Sequence, residues 1–350
     1  MPALMIHLLV AHKINPEGSA AFYVGNFAPD AVSNWKDKDI THLRNLTDRS
    51  EAMAALALQT SPTDDFAEGV LLHLYTDWKW DIIARDKFIK ETDGDWFQKY
   101  RNEIRLASSY LFHHTDWAKC RWNQIELFHE SGYGKIPGAT AQELKAFITR
   151  NHKWHIENNI GPSTFFTPMF IDKFINELAE EYPKWKILQE IAYYNSMPVE
   201  FKDFIDVPVL NDGEIELVCV AKKPAIPEKK WVPGYDFEIR QNNRRVGEIN
   251  LRIGYTDGLY YGGQIGYGVD EPHRGHGYAE KACRLLIPVI RAHGMKKVLI
   301  TNNHTNAASR RTCEKLGARF IRVAPIPEWH DLYKDGQRFE NIFEWNIESN

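Results

Sequence analysis

Gln264-Ile-Gly-Tyr-Gly-Val-Asp-Glu-Pro-His-Arg-Gly-His-Gly-Tyr-Ala-Glu280 is the stretch on which the fold of the last third of this 350-residue chain turns. Apolar side chains at Ile265, Tyr267 and Val269 alternate as on a strand, and Pro272 ends the run. Arg274-Gly-His-Gly-Tyr-Ala279 makes a glycine-rich turn. From Ala279 to His293 the apolar spacing becomes helical, with Gly294 placed as a stop. A strand, a flexible turn and a helix start in that order form a cradle for phosphate, because free N–H groups at a helix N-terminus face the turn and glycines let a ligand reach the main chain.

Working outward, period-two patterns flank this motif. Strands are expected at 214–221, 236–241, 245–253, 264–270, 298–301, 319–324 and 342–347, with a helix at 306–316. Before about residue 195 the chain reads as helical, over 4–14, 17–24, 50–57, 66–85, 95–118, 121–130, 140–158 and 170–195. The tract Ser196–Asp212, with Pro198 and Pro208, separates the two patterns. The expected organisation is a helical domain at 1–198, a linker at 199–212, and an α+β domain with a central mixed sheet at 213–350.

Composition narrows the function classes. A net charge of -4 and a pI near 6.4 give no basic surface of the kind that drives nucleic-acid binding. Four cysteines, Cys120, Cys219, Cys283 and Cys313, form no CxxC pair, which fits free thiols in a reducing compartment and a cytoplasmic location. The apolar run Ala3–Ala11 is short, carries His7 and lacks a basic flank, so no signal peptide or stable membrane anchor is expected.

The first half gathers ligand-type side chains. His7 lies on the first helix, Asp30 ends Gly25-Asn-Phe-Ala-Pro-Asp30, His42 follows Thr41, and His73 and Asp77 are four apart on one helix face. Imidazole and carboxylate together suit zinc, with manganese or iron less favoured. By spacing alone, a local His–Asp hydrogen bond is the commoner outcome. In this order the motifs resemble the zinc-dependent phospholipase C family over about the first 130 residues. The resemblance implies that Asp30, His42, His73 and Asp77 hold one Zn²⁺, that His7 with Asp77 holds a second, and that a metal-bound water attacks a phosphoester. No histidine follows the His73–Asp77 helix turn where three-ion relatives place more ligands, so a full three-ion site is not expected. His113, His114, Asp116 and His129 stand in reserve from later helices. His152, His155 and the tryptophans at 78, 80, 96, 117, 122 and 154 are read as packing residues.

The second half, from Ile215 to Ile347, resembles the GNAT (GCN5-related N-acetyltransferase) superfamily. Arg274, Gly277 and Ala279 match its coenzyme loop, and Asn306-x-x-Ser309 with Glu314-Lys-Leu-Gly317 match its later helix. The resemblance implies acetyl-CoA as cofactor. Arg274, Gly275, His276, Gly277, Tyr278 and Ala279 would take the pyrophosphate, Gly268 and Val269 the pantetheine and thioester carbonyl, and Asn306 and Ser309 would order the site. The acceptor would be a small-molecule amine or a protein amino group.

Three departures bear on mechanism. Cys313 stands where many relatives have a tyrosine acid, and Gln264 where many have a glutamate base. Tyr267, Asp270, Glu248 and His304 are the remaining acid–base candidates. The proline-rich loop 221–236 is also too interrupted to form the two helices that usually wall the acceptor site, so that wall falls to Trp231, Tyr235, Tyr255–Tyr261, Trp329-His330-Asp331 or the helical domain. The expected protein is an N-acetyltransferase fused to a metal-dependent phosphohydrolase-like domain. The alternative is a zinc phosphodiesterase or phospholipase whose second domain only binds acyl-CoA.

Overall fold

The computed structural model describes residues 2–348, and the chain divides into two compact units, Met1–Glu190 and Ile191–Asn350. The first is all helical: α1 Leu4–Ile14, α2 Ala20–Phe27, α3 Trp35–Thr41, α4 Arg49–Gln59, α5 Asp65–Trp80, α6 Asp86–Glu91, α7 Trp96–His113, α8 Ala118–Leu127, α9 Ala141–Glu157 and α10 Pro168–Asn195, the last running past the division. Side-chain caps start most of them, among them Ser19 on α2, Asp64 on α5 and the Thr140–Glu143 capping box on α9.

Helices α2 and α5 approach closely because each offers a glycine to the other. A Cβ on Gly25 would lie 2.0 Å from the Phe66 carbonyl oxygen, and one on Gly69 would lie 2.0 Å from that of Phe22. This contact sets the Gly25–Asp30 segment against the His73–Asp77 face. Gly69→Ala is expected to lower stability by about 3 kcal/mol or more, read as a fall in urea midpoint. Overpacking against rigid backbone outweighs the gain of about 1 kcal/mol that alanine brings to a helix.

The second unit is α+β. Its strands are β1 Leu210–Asn211, β2 Glu216–Lys223, β3 Gly234–Gln241, β4 Arg244–Arg252, β5 Ile265–Val269, β6 Lys297–Asn303, β7 Arg319–Pro325 and β8 Phe339–Asn346, and its helices are α11 Asp257–Gly262, α12 Tyr278–Leu285, α13 Ile287–Ala292, α14 Ala307–Leu316 and α15 Asp331–Lys334. The expected single mixed sheet is instead two antiparallel sheets, in the orders β1-β2-β3-β4-β5 and β6-β8-β7. They meet where the Gln264 N–H donates to the Leu299 carbonyl at 2.8 Å, and no ladder joins β5 to β6 beyond that point among the described residues.

One further expectation is corrected. The helix from Ala279 to His293 breaks into α12 and α13 at Leu286, because Pro288 removes a main-chain donor. Within residues 199–212, Val199, Phe201 and Phe204 pack on the second core, and the Glu200 N–H donates to the His293 carbonyl at 2.8 Å. The loop after β2 forms only the short turn Pro227–Lys229, as its prolines demand. No helix of the described residues is long and apolar enough to cross a membrane.

Candidate functional site

Five residues named from the first half converge. His7, His42, His73, Asp30 and Asp77 are all buried, and one donor atom from each of His7, Asp30 and His73 lies within 4.8 Å of the others. The same holds for His42, His73 and Asp77, so the two sets share His73. Their orientation is fixed from behind. His73 Nδ1 faces the Asn26 carbonyl at 2.7 Å and His42 Nδ1 faces that of Lys38 at 2.8 Å, so both must donate there and turn Nε2 inward as an acceptor.

The two Nε2 atoms stand 3.2 Å apart. Two lone pairs at that separation repel unless a proton or a metal ion lies between them, and ligand atoms about 2.0–2.1 Å from a tetrahedral zinc are about 3.3 Å from one another. Asp77 divides its carboxylate: Oδ1 lies 3.3 Å from His7 Nε2, while Oδ2 lies 3.5 Å from His42 Nε2 and 2.9 Å from Arg44. Asp30 Oδ1 is 3.6 Å from His42 Nε2 and 3.0 Å from Lys38 Nζ. Among the described residues neither ring nitrogen of His7 makes a hydrogen bond of good geometry, although Nε2 faces Asp77 Oδ1 and the ring stacks 4.0 Å from that of His73. Burial and the neighbouring His7 push His73 well below its ordinary value, so it is neutral at pH 7. Burial works to raise the two carboxylates and is outweighed, by Lys38 and His42 for Asp30 and by His7 for Asp77, so both stay ionised. A buried, preoriented set of three imidazoles and two carboxylates fits Zn²⁺.

The reserve ligands stay outside this cluster. His113 Nε2 bonds to the carbonyls of His155 and Asn158, His114 stacks on Tyr110, and His129 caps its own turn. His152 stacks on Trp122 and pairs with Glu126, and His155 bonds to Ser108, which agrees with their reading as packing residues. Trp154, Trp96 and His155 also line a cavity of about 610 Å³ that reaches Asp30.

In the second unit the glycine turn has the expected form. Gly275 and Gly277 sit at φ of +85° and +78°, the left-handed region that a glycine adopts without strain, and Gly277 is the N-cap of α12. Nothing lies within 4 Å of a Cβ built on either, so the turn is open to a ligand. The N–H groups in the first turn of α12 have no intrahelical acceptors and face it. Arg274 folds back, its Nε donating to the Val269 carbonyl at 3.0 Å, which ties the turn to the end of β5. Asn306 caps α14 through the Ser309 N–H, and Ser309 Oγ is 2.8 Å from the Tyr267 hydroxyl.

The acid–base candidates separate. Glu248 is exposed and Asp270 partly buried, and they share Arg245, at 3.0 and 3.5 Å. Tyr267 is half-buried and reaches α14 beside Cys313, and burial pushes its phenol well up. Burial pushes the Cys313 thiol up to about 12, with Asn302 donating to Sγ at 3.7 Å. Gln264 is fully buried. Its Oε1 accepts from the Leu299 N–H at 2.6 Å and its Nε2 donates to the Gly254 carbonyl at 3.0 Å, so the side chain joins the two sheets and is no base.

One group escaped the sequence reading. Glu340 on β8 lies opposite Asn303 at the end of β6, is 2% exposed, and its Oε2 has no hydrogen-bond partner. Burial alone pushes its carboxyl up to about 7. Tyr235 is also removed from the acceptor wall, since its hydroxyl is buried against His293 at 2.9 Å. Tyr261, Trp329 and His330 do cluster, with ring centroids within 6.1 Å of one another.

Residues 211–319 match the model of a GNAT acetyltransferase domain. Among solved structures, a ribosomal L7/L12 alpha-N-protein acetyltransferase in complex with coenzyme A is 13% identical over 41% of this chain and 100% of its own, with a TM-score of 0.31. The microcin C7 self-immunity acetyltransferase in complex with acetyl-CoA and AMP is 20% identical over 32% of this chain and 61% of its own, with a TM-score of 0.25. An acetyl transferase from Salmonella typhimurium that modifies the N-terminal serine of L7/L12 is 16% identical over 34% of this chain and 66% of its own, with a TM-score of 0.27. No curated protein matches this chain. Matched family model, strand series and open glycine turn agree, and the C-terminal unit carries a GNAT acetyltransferase domain.

Proposed function

We propose that the second unit transfers acetyl from acetyl-CoA to a primary amine. The observation that carries this reading is the open Arg274–Ala279 turn at the N-terminus of α12, set beside a β5 edge that β6 leaves unpaired past Gln264. Main-chain donors of Arg274, Gly275, His276, Gly277, Tyr278 and Ala279 take the pyrophosphate, and the free edge at Gly268 and Val269 takes the pantetheine and polarises the thioester carbonyl. Asn306 holds α14 in place, and Ser309 positions Tyr267.

Proton transfer is assigned to two groups. Glu340, one strand in from the opening between the sheets, takes the proton of the amine. Tyr267 stays a neutral phenol and gives its proton to the leaving thiolate, delivering from β5 the group that Cys313 lacks. Glu248 and Asp270, both paired with Arg245, have neither role. The acceptor is an amine of a small molecule or of a protein chain, bounded by Trp329 and Tyr261.

Purified protein incubated with acetyl-CoA and an amine panel that includes peptide N-termini is expected to release CoA with at least one acceptor. Release with none would overturn the reading. Gly277→Asp is expected to weaken CoA binding at least tenfold by calorimetry, because its carboxylate enters the anion cradle; the φ of +78° strains any side chain there, so the far-ultraviolet dichroism of the variant is compared with the parent to separate lost binding from lost folding. Unchanged CoA affinity would show the cradle to be misplaced.

For the first unit, the fit of His7, Asp30, His42, His73 and Asp77 to zinc supports a metal centre of one or two ions, with Asp77 able to bridge. Bound zinc would supply a water of lowered pKa and a Lewis acid for phosphoester hydrolysis. The same cluster supports a second reading of the chain, as a zinc phosphohydrolase whose C-terminal unit only binds acyl-CoA. Hydrolysis of phosphoesters with no amine acetylated would select it.

A further inference from the structure

The cavity of about 610 Å³ beside the His/Asp cluster has the size of a small-molecule site, and its walls carry an unusual charge. Lys38, Arg44, Arg85, Arg101 and Arg105 line it, against Asp30 as the lining carboxylate. The first three are committed to carboxylates beneath: Lys38 to Asp30 at 3.0 Å, Arg44 to Asp77 at 2.9 Å and Arg85 to Asp81 at 3.0 Å. The floor is therefore neutralised by the protein itself.

The rim is not. Arg101 and Arg105 are exposed, one turn apart on α7, and have no carboxylate partner among the described residues. Like charges at i and i+4 repel, so the pair is destabilising until an anion lies between them. Each guanidinium is also held by an aromatic face, Arg101 over Phe97 at 5.9 Å and Arg105 over Trp154 at 5.3 Å. That stacking leaves the planar N–H edges free for oxygen atoms, the geometry in which arginine binds phosphate. Trp96, Phe97 and Trp154, all lining the cavity, offer apolar and stacking surface for an organic body.

We propose that this cavity, whose wall includes Asp30 of the cluster, binds an organic phosphate, its phosphoryl oxygens on Arg101 and Arg105 and its aromatic or apolar body against Trp96 and Trp154. The role as substrate rests on reading the cluster as a metal centre. The role as ligand does not.

The test uses the full chain and phenyl phosphate, followed by quenching of tryptophan fluorescence in both EDTA-treated and zinc-loaded protein. Saturable binding is expected in both, weakened at least tenfold by the double change Arg101→Glu with Arg105→Glu and weakened again by added salt. Zinc content and far-ultraviolet dichroism of the double variant should stay at the parent level, which separates lost recognition from lost folding. Equal affinity of parent and double variant, or equal binding of benzoate or benzyl alcohol, would overturn the assignment. Binding without release of phosphate from the zinc-loaded parent upholds the phosphate site and counts against the metal reading alone.

Discussion

Asp77→Asn is expected to strip zinc from the chain and to leave its affinity for CoA unchanged. Asp77 belongs to the His42–His73–Asp77 set and turns its other oxygen, Oδ1, toward His7 at 3.3 Å, so one amide substitution damages one ligand set directly and removes a carboxylate beside the other. Zinc affinity measured against a competing chelator should fall at least a hundredfold. The substitution also takes from Arg44 one of its two carboxylates, Asp77 Oδ2 at 2.9 Å, and leaves it Asp81 Oδ2 at 3.5 Å in a largely buried site. Breaking a buried ion pair from one side costs up to about 3–5 kcal/mol when the remaining charge is uncompensated, and Asp81 reduces that cost here. Unfolding of the metal-free variant should therefore come below that of the metal-free parent. In the parent, zinc at a hundredfold excess over its dissociation constant adds about 2.7 kcal/mol of stability, and EDTA removes it. If the parent holds no zinc and EDTA moves nothing, the cluster is a buried hydrogen-bond network and the hydrolase reading of the first unit falls.

The outcome follows from which physical signals are local. The second unit was legible because period-two alternation marks each strand, and α12 and α14 carry their own caps at Gly277 and Asn306. Helix α3 was not, since Trp35–Thr41 alternates charges and has no apolar stripe, and what starts it is the Asn34 cap. The five candidate ligands were named through a resemblance, since spacing alone favoured a local His–Asp hydrogen bond. What brings them together in the fold is the Gly25–Phe66 and Gly69–Phe22 contacts, which no periodicity records. Gln264 shows the reverse case. By position it looked like a lost catalytic base, yet it needs both a donor and an acceptor to bond Gly254 and Leu299, which a carboxylate cannot provide. The cavity cations lie on several helices and belong to no motif. Their common surface exists only in the folded unit.

Glu340→Gln is expected to slow acetyl transfer about a hundredfold or more while making the protein more stable at pH 8. The kinetic loss is what removal of a general base costs, and the KM for acetyl-CoA should stay near the parent value because Glu340 is on β8, in the other sheet from the β5 end to which Arg274 is tied. With the parent, kcat/KM should climb through an apparent pKa near 7, the value to which burial pushes this carboxyl, and then level off as it becomes ionised. The glutamine variant should lack that limb. The stability effect has a fixed sign. A folded pKa of about 7, against about 4.3 for an unfolded glutamate, means that between those values the native state binds more protons than the unfolded state, so this group's contribution falls as pH rises and stays at its lowest above 7. Glutamine does not ionise, so the variant should match the parent near pH 4 and exceed its melting temperature at pH 8. A residue kept at a cost to stability, whose neutral isostere restores it and loses activity, behaves as a catalytic group. If the pH limb survives the substitution, the base is elsewhere. If the limb is lost and stability does not rise, Glu340 has a partner in solution that neutralises it, and its action as a free base is excluded.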